Sequence, residues 1–273
     1  MDPAVITTSP LSIEAIRRRL RATFVGRRLY LFGEVESTNA VARELAHSGA
    51  EDGTVVLAEA QRRGRGRRGQ PWFSPAGVNL YASALFRGQR LALSQAPVFA
   101  FIAGLAVCDA IRQLGLHPAI KWPNDVLVNQ KKVAGTLVDC AAQGGEVESL
   151  ILGVGVNLNV TQTALRAALG EHGIAASSLA AIAGHDVDRS EFAAAYLNQL
   201  DSWALRHRAE GAAPVLAAWR DREILGGRRV LVRGDGADLE GRVHGVDEHG
   251  RLVVRDVHGD AHVVVTGEVR VLD

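Results

Sequence analysis

Cysteine is scarce in this chain, and what there is makes no framework. Cys108 and Cys140 are the only two in 273 residues. Both stand in apolar surroundings, which excludes a disulfide-stapled scaffold and a paired metal site and marks them as reduced core residues. A surplus of one charge is also missing. With 31 Lys and Arg against 30 Asp and Glu the net charge is +1, whereas a general duplex binder carries a broad basic surface. No uninterrupted apolar run reaches the ~20 residues needed to span a bilayer. The opening MDPAVITTSP lacks a signal-peptide pattern, so a soluble, cytoplasmic protein is expected. Internal repeats and low-complexity tracts are absent. So is a Walker loop, because no Gly-Lys-Ser/Thr follows the glycine-rich stretch. A content of 47% hydrophobic residues is enough for one substantial core and a small second one.

Against this even background one segment stands out. Gln61 to Trp72 packs five arginines and three glycines between two apolar runs, Thr54 to Ala58 and Asn79 to Phe86. Glycines let backbone N–H groups converge on an anion, and guanidinium forks match phosphate or carboxylate. An anion-binding loop is the first reading. An RNA-binding element of the Arg-Gly type and a plain solvated loop are the others, the former usually lying in longer disordered tracts.

The rest of the chain alternates strand and helix signals. Leu11 to Leu20 has apolar positions at helical spacing, and a strand from Leu29 to Val35 follows too soon for a helix-turn-helix. Ser37-Thr38-Asn39 precedes a helix that begins at Ala40 and closes at Gly49; any one of the three would serve as N-cap. Asn79 to Phe86 reads as a strand, and Ser94 to Leu114 as a long helix apolar on nearly every side, lying against a sheet. Pro123 breaks the strand around Lys121 and leaves a turn at Asn124-Asp125. Lys132 to Asp139 and Leu150 to Asn159 read as strands joined by a hairpin at Gln143 to Glu146. Gly153 and Gly155 alternate within the second, the mark of something approaching the backbone closely. Helices follow from Thr163 to Ala218, with Ser178 and Asp188 as N-caps. Short strands then run from Arg229, with turns at 234–236, 248–250 and 258–260. The organisation expected is α+β: a mixed sheet with helices over residues 1–225, and a small SH3-like barrel over 226–273.

Two groups of polar residues admit a plain and a chemical reading. Lys121, Asp125 and Lys132 could form a surface ion-pair set, or Asp125 could hold Mg²⁺ beside substrate phosphates. His244, His249, His258 and His262 sit at turns without metal-ligand spacing and read as solvated.

In order, Glu36-Ser-Thr-Asn39, Gln61 with Gly64 to Gly69 and Trp72, Lys121-Trp-Pro-Asn-Asp125 with Lys132-Val-Ala-Gly135, and Gly153-Val-Gly-Val-Asn157 resemble the biotin protein ligases. The resemblance implies a catalytic fold of the class II aminoacyl-tRNA synthetase and biotin ligase type. It also implies ATP and biotin as substrates, Mg²⁺, a biotinyl-adenylate, and transfer of biotin to a lysine of a biotin carboxyl carrier protein. By the family pattern Ser37, Thr38, Asn39 and Gln61 meet the ureido head, while Gly153 and Gly155 leave room for biotin beside Gly135. Arg65, Gly66, Arg67 and Arg68 wrap the carboxylate, phosphate and adenylate. Lys132 sits at the reacting carboxyl and α-phosphate, Lys121 adds to the phosphate field, and Asp125 acts through Mg²⁺. Trp72 and Asn157 contact adenine. The Arg loop is expected to be mobile until an anion neutralises it. Arg63 and Gln70 depart from the family pattern, and no role is carried to Gln70. The DNA-binding winged helix of bifunctional members is not seen, so no direct DNA binding is expected, while oligomeric state, including a homodimer, stays open. A lipoate ligase or octanoyltransferase of similar fold is the nearest alternative, and a nucleic-acid-binding regulator the more distant one.

Overall fold

A computed structural model describes residues 9–87, 92–144, 146–234 and 238–273. The first eight residues of the opening stretch, Gly145 of the Gln143 to Glu146 hairpin and residues 235–236 of the turn at 234–236 lie outside the described residues. Helix α1 (Ile13–Arg19) starts where Ser12 accepts a bond from the Ala15 N–H. It leads into β1 (Leu29–Val35), α2 (Thr38–His47), β2 (Val55–Gln61), β3 (Leu80–Arg87) and α3 (Pro97–Arg112). Then come β4 (Pro118–Lys121), β5 (Asp125–Val128), β6 (Lys131–Gln143) and β7 (Glu146–Val156). These strands make one seven-stranded sheet in the order β1-β2-β3-β7-β6-β5-β4. Only β1 and β2 pair in parallel, so the sheet is mixed, as expected.

The two faces of the sheet bury different things. Leu80, Ala82, Ala84 and Phe86 of β3 and Leu150, Leu152, Val154 and Val156 of β7 point to the large core, where α3 lies. The strict period of two puts their neighbours on the opposite face. There α2 covers Val56, Leu85 and Ile151. α3 is apolar on nearly every side because most of it is enclosed. Phe99 meets Phe86 edge-on at 5.5 Å, and Phe101 stacks on Trp219 at 4.5 Å. The segment Leu93–Arg112 is long and apolar enough to cross a membrane, but most of it is buried inside the protein. The expected helix from Ser94 is divided: a 3₁₀ turn at Leu93–Gln95 precedes Pro97, whose missing N–H costs nothing at a helix start.

Helices α4 (Gln162–Leu169), α5 (Leu179–Ala183), α6 (Arg189–Glu210) and α7 (Ala213–Arg220) follow. Ser178 and Asp188 cap α5 and α6 as expected, accepting from Ala181 N and Glu191 N. The chain ends in β8 (Arg229–Arg233), β9 (Leu239–Val246), β10 (Leu252–Arg255), β11 (Ala261–Val264) and β12 (Glu268–Val271). They form an antiparallel sheet in the order β11-β10-β9-β8-β12. Among the described residues β11 and β12 are its two edges, so a small antiparallel sheet stands where an SH3-like barrel is expected. Val230, Val232, Val243, Leu252 and Val254 join the same apolar cluster as α3. The core is therefore continuous across residue 226. Arg222 and Ile224 even hydrogen-bond with Ile120 of β4. A further correction concerns Cys140, which is exposed on β6 while Cys108 is buried. The two cysteines are not both core.

Candidate active site

Strand register assembles the site. One row across the sheet reads Ala58, Tyr81, Gly155, Gly135, Asp125 and Lys121, each paired with the next. The next row on that face holds Ser83, Gly153 and Leu137. Laterally paired residues point to the same face. Three glycines thus make a trough floor without side chains, walled by Tyr81 and Ser83 on one side and by Asp125 on the other. Lys132 stands three residues before Gly135, which in a regular strand would aim it at the opposite face. Val126 pairs with Ala134 but Leu127 with Lys132, so Val133 is skipped. The bulge returns Lys132 to the trough face. Its ammonium lies 2.6 Å from Asp125 Oδ1 and 5.5 Å from the Trp72 ring centroid.

Side chains from above use the space that the glycines leave. A Cβ at Gly153 would lie 2.2 Å from Asn39 Oδ1, and one at Gly155 would lie 2.3 Å from Trp72 Nε1. The Trp72 ring also approaches Gly135. Its indole N–H is buried and has no hydrogen-bond partner among the described residues. A buried donor without an acceptor costs free energy, so this atom marks where an acceptor belongs.

At the α2 end, hydroxyl and amide groups interlock. Gln61 Oε1 accepts from Thr38 N and Thr38 Oγ1 at 2.9 and 3.2 Å, and Gln61 Nε2 donates to Ser74 Oγ at 3.0 Å. Ser83 Oγ lies 2.8 Å from Thr38 Oγ1 and 2.6 Å from Asn39 Oδ1, and its single proton serves one of them at a time. Asn39 Nδ2 donates to Asp139 Oδ2 at 3.1 Å, and that oxygen pairs with Arg43 Nη2 at 2.7 Å. Ser37 stands at the N-cap position, but its hydroxyl caps nothing. All of Ser37, Thr38 and Asn39 are buried, which capping alone would not require.

The Arg loop is a small hairpin. Gly66 N donates to Gln70 O, Trp72 N donates to Gly64 O, and Arg68 and Gly69 turn the chain in the left-handed region. Only glycine fits at 64, where a Cβ would lie 2.5 Å from Ser74 Oγ and 2.7 Å from Trp72 O. The arginines divide by direction. Arg62 and Arg63 face β1, pairing with Glu34 and Glu36 at the surface. Arg65 is exposed and forms no ion pair among the described residues. Arg67 lies over Trp122 at 5.8 Å and donates to Thr266 Oγ1 at 3.1 Å, while Arg68 donates to Arg233 O. Burial lowers the Arg67 pKa from its ordinary value, an effect that Asp125 opposes and Arg68 reinforces. Trp122 in turn donates to Gly250 O at 3.0 Å. The C-terminal sheet therefore touches both the loop and the strand break at Pro123.

Asn157 lies at the other end, its Nδ2 already donating to Ser177 O at 3.1 Å; its Oδ1 is what remains for a ligand. Asp125 is a single carboxylate balanced by Lys132, and no group of three or more His, Cys, Asp or Glu residues gathers among the described residues. That donor set fits Mg²⁺ only when phosphate oxygens supply the other ligands. The structure thus brings Ser37 to Asn39, Gln61, Trp72, Lys121, Asp125, Lys132, Gly135, Gly153 and Gly155 onto one face. Sequence reasoning did not single out Ser83, Asp139, Arg43, Ser74 or Thr266. Ser83 and Asp139 carried a signal, since they share strand parity with Tyr81 and Gly135.

A floor of glycines, a polar cluster at one end and cations at the other are the arrangement a ligase needs to join an acid to a nucleotide. Comparison with known proteins agrees. The family model described as biotin/lipoate A/B protein ligase matches residues 31–157. A biotin–[acetyl-CoA-carboxylase] ligase of Paracoccus denitrificans is 36% identical, over 88% of this chain and 98% of its own. The ligase of the same description from Mycobacterium tuberculosis is 36% identical, over 95% of each chain. The solved biotin protein ligase of Aquifex aeolicus in complex with biotin and ATP aligns with a TM-score of 0.75 at 26% identity, covering 90% of this chain and 99% of that one. The chain belongs to the biotin/lipoate A/B protein ligase family.

Proposed function

We propose that this chain activates biotin with ATP to biotinyl-5′-AMP and then transfers the biotinyl group to a lysine of a biotin carboxyl carrier protein. The observation that carries the reading is the glycine trough, closed at one end by neutral amide and hydroxyl groups and bordered at the other by Lys132 and Asp125. A urea head is neutral and rich in donors and acceptors, which suits Thr38, Asn39, Gln61 and Ser83. Ser37 offers a further hydroxyl there.

In the first step a biotin carboxylate oxygen attacks the α-phosphorus. The new bond is acyl O–P, the bond to the bridging oxygen breaks, and pyrophosphate leaves with the electron pair. We assign Lys132 to the developing charge, with Arg65, Arg67 and Arg68 on the phosphate and Lys121 adding to the field. Mg²⁺ arriving with the nucleotide would meet Asp125 and neutralise phosphate charge. Trp72 offers its unpaired N–H and its ring to the adenylate, and Asn157 its Oδ1. In the second step a neutral lysine amine attacks the acyl carbon, an amide forms, AMP leaves, and the amine gives up a proton. No covalent enzyme intermediate is needed, so the chain contributes position and electrostatics.

On this reading residues 226–273 form an SH3-like unit beside a catalytic unit of residues 1–225, and the enzyme works in the cytoplasm. Net charge +1 speaks against a duplex binder. Competition assays separate the alternatives. Biotin should support ATP–pyrophosphate exchange whereas lipoate and octanoate do not, and no duplex should bind at moderate salt. Exchange supported by lipoate or octanoate alone, or duplex binding with a steep salt slope, would overturn the assignment.

A further inference from the structure

Asn39 has two nearly indistinguishable ends, and which of them faces the trough decides whether the site offers an acceptor or a donor there. Around it stand two groups of different character. Ser83 can donate or accept, so it does not choose. Asp139 is a carboxylate that only accepts, 3.1 Å from Asn39 Nδ2. Arg43, one turn after Asn39 on α2, holds the same carboxylate oxygen at 2.7 Å and fixes it in place. With the amide reversed, two acceptor oxygens would face each other across that distance. Asp139 lies on the trough face of β6, at the same parity as Gly135 and Leu137.

We infer that Asp139, held by Arg43, is a specificity-determining positioning residue. It pins the Asn39 amide with Oδ1 toward Gly153, so that the biotin pocket presents a fixed acceptor to one ureido N–H. The inference rests on the biotin reading of the site. Oδ1 has two lone pairs, of which Ser83 can take one, and the atom itself lies over Gly153, 2.2 Å from where a Cβ would stand. Substitution by asparagine keeps the shape at 139 but adds a donor, so either orientation of Asn39 becomes satisfied and the acceptor is lost for part of the population.

The test uses the full chain with biotin and with biotin methylated at either ureido nitrogen, each analogue separately. Wild type should reject at least one methylated analogue strongly, because methylation removes the N–H that Asn39 accepts. In Asp139→Asn the KM for biotin should rise about 5- to 100-fold, the range for a misplaced buried hydrogen bond. The KM for ATP at saturating biotin should stay within about twofold. Most tellingly, the ratio of KM values for methylated and plain biotin should fall, which a general loosening of the fold would not produce. Asp139→Glu, still acceptor-only, should retain most of the wild-type ratio. If Asp139→Asn does not fold, Asp139→Ser, which can also donate, should show the same reduced ratio. An unchanged ratio in the folded variant, or equal loss in Asp139→Glu, overturns the inference. Failure of wild type to form adenylate from biotin would instead remove the functional reading beneath it.

Discussion

A methyl group at Gly155 probes the trough with little else disturbed. Gly155 is the penultimate residue of β7 and lies outside the left-handed region, so alanine brings no backbone strain. Its Cβ would lie 2.3 Å from Nε1, 2.4 Å from Cε2 and 2.9 Å from Cζ2 of Trp72. All three atoms belong to one indole, which must move or strain the strand. Overpacking of this kind costs roughly 1–3 kcal/mol. If that cost falls on the adenylate-bound state, kcat/KM for adenylate formation drops roughly 5- to 150-fold. The assay is biotin-dependent pyrophosphate release, with thermal melting to follow stability. Trp72→Ala removes the collision, so Gly155→Ala should cost little more in that background, giving a large coupling between the two sites. Wild-type kinetics in Gly155→Ala, or strictly additive losses in the double variant, would refute the packing of Trp72 on Gly155.

Three further changes address the cations and the loop. Lys132→Ala should lower adenylate formation by about 10²–10³-fold with little loss of stability, because the Lys132–Asp125 pair is partly exposed; wild-type pyrophosphate release would remove Lys132 from the reacting centre. Arg65→Ala should raise the biotin requirement and speed adenylate escape in a filter-retention assay, and unchanged affinity and retention would take Arg65 out of the site. Thr266→Ala removes the hydroxyl that accepts from Arg67. It should raise the KM for ATP about three- to tenfold, the net worth of one typical hydrogen bond, while leaving biotin affinity measured by calorimetry unchanged. A shift in biotin affinity with no change for ATP would contradict that division.

Local signals carried much of this far. The period-two glycines at 153 and 155, the proline break at 123 and the caps at Ser178 and Asp188 each have a cause within a few residues. Such features read correctly because propensity and pattern act at short range. The rest depended on partners far along the chain. Asp139 looks like the polar member of an alternating strand, and only α2, about a hundred residues earlier, makes it a neighbour of Asn39 and Arg43. Lys132 faces the trough because of a bulge that no residue type announces. The link from Arg67 to Thr266 spans 199 positions. Cys140 was misjudged because an apolar neighbourhood in sequence says little about which strand face a residue takes. The short C-terminal strands and turns announce a small antiparallel sheet but do not specify closure; edge pairing does.

The central claim is that this trough holds an acyl-adenylate made from biotin. Incubating the full chain with biotin, ATP and Mg²⁺ and then measuring its intact mass under native conditions tests it most directly. A biotinyl-5′-AMP should be retained and should disappear when a biotin carboxyl carrier domain is added, with biotin then found on one lysine of that domain. ATP consumption without a retained biotinyl-adenylate, or an adenylate formed from lipoate or octanoate and not from biotin, would contradict it.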